Sequence, residues 1–287
     1  MSAFPAAPDA VSSWMPGMTE AANSSATRPV TGLTGLDARL LASLVAPALA
    51  ARMQVLDRVD STQAVLLDKA GQLPDRSWVL SDHQTAGRGR RGRTWLTPAG
   101  SALALSMLAR NPDRGRWPGS LSLALGVAVA EVVREWGAPD VALKWPNDVW
   151  VQGRKLGGIL VETFAGGVVA GVGINCQLPA AVRTSIDQAC TDLAELGVVM
   201  APEMLAAALA DAWNEAFDTF ARRGWEAFHA RWDGFDALAG KAVRVLTGVH
   251  EQVEGRANGV DGRGCLLVDV LGETKAFASA EVSVRAT

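Results

Sequence analysis

Between Val141 and Cys176 the chain reads VALKWPNDVWVQGRKLGGILVETFAGGVVAGVGINC. Four runs in it have strand character: VALKW, VWVQ, KLGGILVETF and GVVAGVGINC, separated only by PND, GR and AG. Parallel neighbours need a crossover of roughly a dozen residues or more, so connectors this short predict antiparallel hairpins. The run VWVQ leaves Asp148, turns at Gly153-Arg154 and returns through Lys155, which brings the KWPND and GRKLGG stretches side by side. Gly157 and Gly158 follow Lys155 on the returning strand, and glycine inside a strand often marks the close approach of a ligand or of another backbone.

Working outward, the same mixture of helix and strand continues on both sides. MQVLDRVDSTQAVLLDKAG, from Met53, predicts a short strand running into a helix with Ser61 or Thr62 as its N-cap. SWVLSD and SALALSMLA read as strands. SLSLALGVAVAEVVREWG reads as a helix apolar around most of its circumference, stopped by Gly137 and Pro139. Another short helix is expected from about Asp37, interrupted by Pro47. Downstream, a helix from about Glu203 repeats Leu205, Leu209, Trp213 and Phe217 at four-residue spacing with Phe220 alongside, the pattern of a core stripe. Beyond Leu238, short strands with glycine turns predict a separate β-barrel domain of about 50 residues. The expected organisation is a disordered tail over residues 1–35, an α/β (α+β) catalytic domain over 36–237 and a small β domain over 238–287.

Composition limits the function classes. The chain has 287 residues, 49% of them hydrophobic, enough for a sizeable core. Lys and Arg number 27 against 30 Asp and Glu, so no overall field draws the protein to nucleic acid or to a membrane, and any anion site must be local. Three cysteines without a C-x-x-C pair indicate neither a disulfide framework nor a thiolate metal site, and a cytoplasmic setting fits. No basic-then-apolar leader and no run of 18 apolar residues is present, so neither export nor membrane insertion is expected.

The local anion site is QTAGRGRRGRTW, Gln84 to Trp95, with Arg88, Arg90, Arg91 and Arg93 interleaved with Gly87, Gly89 and Gly92. Its G-x-G-x-x-G spacing is not a dinucleotide fingerprint, because no strand ends at the first glycine, no helix starts at the third and no acidic residue stands about 20 positions on. A solvated basic loop is one reading, and a segment for single-stranded nucleic acid another. The glycines favour a third: glycine lets backbone approach an anion, and each guanidinium presents a planar fork of donors to carboxylate or phosphate. Close guanidiniums repel by about 1 kcal/mol per pair in water, so such a loop is expected to be mobile when empty and ordered by a polyanion.

In order along the chain, DSTQ, QTAGRGRRGRTW, KWPNDVW, GRKLGGILVE and GVGIN resemble the biotin protein ligases over about residues 55 to 287. The resemblance implies a catalytic domain similar to class II aminoacyl-tRNA synthetases, with a mixed, largely antiparallel sheet, followed by an SH3-like barrel. It implies ATP and biotin as substrates, Mg²⁺ with the nucleotide, and a biotin carboxyl carrier protein of acetyl-CoA carboxylase or a similar enzyme as partner, with no role for DNA or membrane. Family members that double as repressors carry an N-terminal winged helix-turn-helix, which residues 1 to 52 are not expected to form. Lipoate or octanoate transfer on the same fold is the neighbouring alternative, lacking the arginine loop and the KWPND block.

Carried onto this chain, the resemblance makes Lys155, Arg90 and Asp148 catalytic. Lys155 contacts the biotin carboxylate and the phosphate it attacks, and Asp148 either orients Lys155 or organises Mg²⁺. Ser61, Thr62, Gln63 and Gln84 fall on the ureido side of biotin, with Gln63 standing where the family usually has Asn. Arg88, Gly89 and Arg90 close over the ligand, and Trp95 walls its valeryl chain or serves as plain core. Arg88, Arg90, Arg93 and Asn175 reach the nucleotide, and no protein metal site is implied. The histidines His83, His229 and His250 are too scattered for a triad and are expected to be structural.

Overall fold

The structure, a computed structural model, describes residues 35–111, 119–246, 252–278 and 283–286; the tail expected over residues 1–35 lies outside them except for Gly35. Helices α1 (Ala38–Leu44) and α2 (Pro47–Ala50) lead into β1 (Met53–Val55), α3 (Thr62–Asp68), β2 (Trp78–Ser81), β3 (Ala102–Arg110) and α4 (Leu121–Glu135). Asp37 caps α1 by accepting from the Arg39 and Leu40 amides, and Pro47, which ends that run, opens α2 at a position where its missing N–H costs nothing. Strands β4 (Val141–Lys144), β5 (Asp148–Val151), β6 (Arg154–Phe164) and β7 (Gly167–Asn175) follow, then α5 (Ala180–Ser185), α6 (Pro202–Arg223) and α7 (Glu226–Asp233).

β1 to β7 form one sheet in the order β1-β2-β3-β7-β6-β5-β4. The hairpins predicted from the short connectors are present, β4 to β7 pairing in antiparallel succession, and only β1 and β2 run parallel.

The alternation of side chains along β3 and β7 explains how the two faces differ. Leu103, Leu105 and Met107 of β3, with Val168, Ala170 and Ile174 of β7, enter the main core beneath α4 and α6. The intervening residues face the other way. There Leu108 and Val169 pack with Leu66 of α3 in a smaller core, whereas Ala104 pairs with Gly173 and Ser106 with Gly171. These four small residues leave the sheet hollow beside α3, and the hollow becomes the floor of the site.

The C-terminal strands β8 (Ala242–Leu246), β9 (Gln252–Val260), β10 (Leu266–Val270), β11 (Glu273–Phe277) and β12 (Ser283–Ala286) form an antiparallel sheet in the order β11-β10-β9-β8-β12. The small β domain expected beyond Leu238 is present; β11 and β12 stand at opposite edges of its sheet, and among the described residues the barrel is not closed. Val243, Val245, Leu266 and Val268 join the main core, while the Trp145 and Trp225 indoles donate to Gly264 O at 3.1 Å and Asp261 O at 3.2 Å. The sheet is thus anchored directly behind the KWPND turn.

Candidate active site

A cavity of about 660 Å³ opens over the hollow, and every residue assigned to the site from the sequence lines it. Its two ends differ chemically. At the neutral end, Ser61 caps α3, its hydroxyl accepting from the Ala64 amide at 3.4 Å. The Thr62 amide donates to Gln84 Oε1 at 2.9 Å, and Gln84 Nε2 donates to Thr97 Oγ1 at 3.3 Å. Ser106 lies 2.8 Å from Thr62 Oγ1 and donates to Gln63 Oε1 at 3.2 Å, while Gln63 Nε2 donates to Val169 O at 2.8 Å. All five side chains from Thr62, Gln63, Gln84, Thr97 and Ser106 are buried, and burial of polar groups is tolerated only when they are bonded in this way.

At the cationic end, Lys155 Nζ lies 2.8 Å from Asp148 Oδ1, with both side chains largely buried, and 5.6 Å from the centre of the Trp95 ring. Of the two roles open for Asp148, orienting Lys155 is the one the contact supports. Neighbouring glycines make this packing possible. A Cβ on Gly173 would stand 2.4 Å from the Trp95 ring, and one on Gly158 3.4 Å from Lys155 Nζ. Trp95 therefore lies across the floor between the two ends.

The arginine loop has an internal frame. Arg90–Gly92 forms a 3-10 turn in which Arg91 adopts φ 58, and the Gly89 amide donates to Arg93 O at 2.7 Å. Arg90 reaches over the cavity to donate to Asn147 Oδ1 at 3.1 Å. Burial and the adjacent Arg91 hold its guanidinium below the ordinary value, with Asp148 pulling the other way. Arg88 turns instead to Glu162, at 2.8 Å, whose second oxygen Oε2 is buried and unpartnered. Arg93 is exposed at the rim.

Asn175 lines the cavity, yet its amide nitrogen donates to Thr191 O at 3.0 Å, tying β7 to the segment after α5. That segment was not anticipated. Its residues Ile186–Cys190, with Ser185 at the end of α5, form a wall of the cavity, fixed to β6 through Lys155 N to Ala189 O and Thr191 N to Lys155 O, each 2.9 Å. Asn147, Glu162 and Ser106 were likewise passed over as site residues. Asn147 sits inside the quoted KWPND block, and its Nδ2 donates to Ile159 O at 2.9 Å, so the signal was present without a role to attach to it. Among the described residues no group of three or more His, Cys, Asp or Glu gathers as a metal cage, and no helix is long and apolar enough to cross a membrane.

Comparison with known proteins fits this geometry. Residues 55–178 match the biotin/lipoate A/B protein ligase family, and residues 239–285 match the biotin protein ligase C-terminal domain. The chain is 36% identical to the bifunctional ligase/repressor BirA of Escherichia coli, over 80% of this chain and 73% of that protein. It is also 36% identical to the biotin–[acetyl-CoA-carboxylase] ligase of Mycobacterium tuberculosis, over 80% and 88%. The structure of the Aquifex aeolicus biotin protein ligase in complex with biotin and ATP superposes with a TM-score of 0.73 at 28% identity, covering 82% of this chain and 99% of that one. With the two family matches in chain order and the residues assigned to the site gathered on one cavity, the chain belongs to the biotin protein ligase family.

Proposed function

We propose that the chain joins biotin to ATP, forming biotinyl-AMP and pyrophosphate, and then transfers the biotinyl group to one lysine of a biotin carboxyl carrier protein, releasing AMP. The observation that carries this reading is the union, in one cavity, of a neutral hydrogen-bonding end with a cationic end built on Lys155, Asp148 and Arg90. Relatives named for acetyl-CoA carboxylase support that enzyme, or one like it, as the source of the carrier.

Biotin's carboxyl group ionises near pH 4, so at neutral pH it is already a nucleophile and needs no base. What it needs is placement against the α-phosphorus and cancellation of charge. A fixed cation about 4 Å from a developing oxyanion supplies on the order of 4 kcal/mol at an effective dielectric near 20. Lys155 is that cation, aimed by Asp148. Ser61, Thr62 and Gln84 hold the ureido ring, Trp95 walls the valeryl chain, and Arg88, Gly89, Arg90 and Arg93 fold over the acyl phosphate, Arg88 exchanging Glu162 for the ligand. Asn175 secures the wall against which the nucleotide lies.

A Mg²⁺ ion bound with ATP would offset the charge of its phosphates, and Asp187 and, beside Lys155, Asp148 are the carboxylates on the cavity wall that would hold it. Three free cysteines suit a reducing compartment such as the cytoplasm. In the second half-reaction the carrier lysine attacks the acyl carbon and AMP leaves. An ordinary lysine is only about 0.04% neutral at pH 7, so transfer depends on loss of its proton within the closed site.

The test is pyrophosphate release with each substrate omitted in turn, followed by mass measurement of a carrier domain. Release that requires both biotin and ATP, with a biotinyl mass gain on one carrier lysine, supports the reading. Release with octanoate or lipoate in place of biotin contradicts it.

A further inference from the structure

Gln63 lines the cavity, but its amide is fully engaged with the protein. Its nitrogen faces two backbone carbonyls, Val169 O at 2.8 Å and Leu160 O at 3.4 Å. Carbonyls only accept, so the end facing them is the NH₂ and the end facing Ser106 is the oxygen. An amide oxygen also only accepts. The Ser106 hydroxyl, 3.2 Å away, therefore spends its one hydrogen on Gln63 Oε1.

The consequences run along the network. With its hydrogen committed, Ser106 meets Thr62 Oγ1 at 2.8 Å as the acceptor, so the Thr62 hydroxyl is the donor there. Gln84 Oε1 accepts from the Thr62 amide at 2.9 Å; the Thr62 hydroxyl has one hydrogen and serves Ser106 Oγ at 2.8 Å in preference to Gln84 Oε1 at 3.2 Å. Ser106 thus gives its hydrogen to Gln63 and receives that of Thr62, while Gln84 Oε1 receives the Thr62 amide, so that neither oxygen has a hydrogen to give and each keeps one lone pair for a ligand. Gly171 is the matching position. A Cβ there would lie 2.6 Å from Gln63 Oε1 and 2.8 Å from Ser106 Oγ, so the longer glutamine is accommodated only because residue 171 has no side chain.

We propose that Gln63 is a positioning residue, not a ligand contact: acting through Ser106 and paired with Gly171, it fixes the hydrogen-bond polarity of the neutral end so that it accepts from N–H donors such as those of a cyclic urea. This rests on the proposal that the ureido ring lies at this end.

The test is a double-mutant cycle on the full chain, reading the KM for biotin, the KM for ATP and kcat. Gln63→Met keeps the length of the side chain and removes the amide, both its oxygen and its NH₂. Ser106→Ala removes the group Gln63 orients. Each is expected to raise the biotin KM roughly tenfold, the scale of one lost buried hydrogen bond, with the ATP KM and kcat within about twofold of wild type. The double variant is expected to match Ser106→Ala alone, because Gln63 acts through that hydroxyl. Multiplying effects, about a hundredfold together, overturn the proposal, as does an unchanged biotin KM in Gln63→Met. Gly171→Ala provides a second route that leaves Gln63 in place: the same selective rise in biotin KM is expected, and no rise overturns the pairing. Gln84→Ala separates the two levels. If Gln84→Ala and Ser106→Ala both leave the biotin KM unchanged, the placement of the ureido ring fails; if both raise it and Gln63→Met does not, only the polarity assignment fails.

Discussion

The two ends of the cavity are made differently. At the neutral end the side chains come from α3, β3 and the loop around Gln84, are buried, and hold one another in place by hydrogen bonds within the protein. At the cationic end the charges meet side chains of the cavity wall: Lys155 meets Asp148, Arg88 meets Glu162, and Arg90 donates to the neutral Asn147. A network buried inside the fold is preorganised, because its donors and acceptors have no alternative partners. A rim of arginines, by contrast, can exchange a protein carboxylate for a ligand phosphate, and exposed ion pairs of this kind contribute only about 0–1 kcal/mol. On the proposed function, recognition of the apolar bicycle falls to the rigid end and charge chemistry to the cationic one.

The strongest challenge to this division is Lys155→Ala, expected to lower pyrophosphate release at least about 10²-fold, the scale for losing one preorganised electrostatic partner. Release within threefold of wild type would remove Lys155 from the chemistry. Gly173→Ala probes the floor between the ends. Its Cβ collides with the Trp95 ring, and overpacking of this kind costs about 1–3 kcal/mol, to be read as a lower midpoint in urea. An unchanged midpoint would mean that Trp95 moves aside freely and is no fixed wall. Arg90→Ala sharpens the adjustable end. Biotinyl-AMP should dissociate about tenfold faster, roughly the loss of one charge-assisted hydrogen bond, while its synthesis slows less. Equal losses of synthesis and retention would place Arg90 in the chemical step. The smallest effect is expected from thiol chemistry. Burial pushes the Cys176 thiol up to about 12 and raises that of Cys190 on the cavity wall, so iodoacetamide at neutral pH should leave adenylation within about twofold. ATP-protectable inactivation would reveal a reachable thiolate at Cys190.

Much of this architecture was legible because the signals were local. Connectors of two or three residues fixed the order β4 to β7, and Ser61 announced the start of α3. Arginines among glycines and a lysine beside two strand glycines pointed to a site before any contact was known. What escaped depended on pairing between distant strands. Ala104 and Ser106 look like ordinary strand residues until β3 registers with β7 and sets them opposite Gly173 and Gly171, which hollows the sheet. The wall around Ala189 escaped for a similar reason, since it is defined by its hydrogen bonds to Lys155 and not by any period of its own. The C-terminal domain was legible as short antiparallel strands, but glycine turns specify hairpins without specifying closure, and among the described residues its barrel is not closed.

The central claim, that a preformed neutral end and a charge-bearing end act on one pair of substrates, is tested most directly by calorimetric titration of the wild-type protein with biotin alone, then with a nonhydrolysable ATP analogue with and without biotin. Biotin is predicted to bind alone, because its recognition network exists without the nucleotide. The analogue is predicted to bind roughly 5- to 150-fold more tightly once biotin is present, the usual range for coupled sites. Nucleotide affinity unaffected by biotin, or biotin that binds only after the nucleotide, would contradict the account.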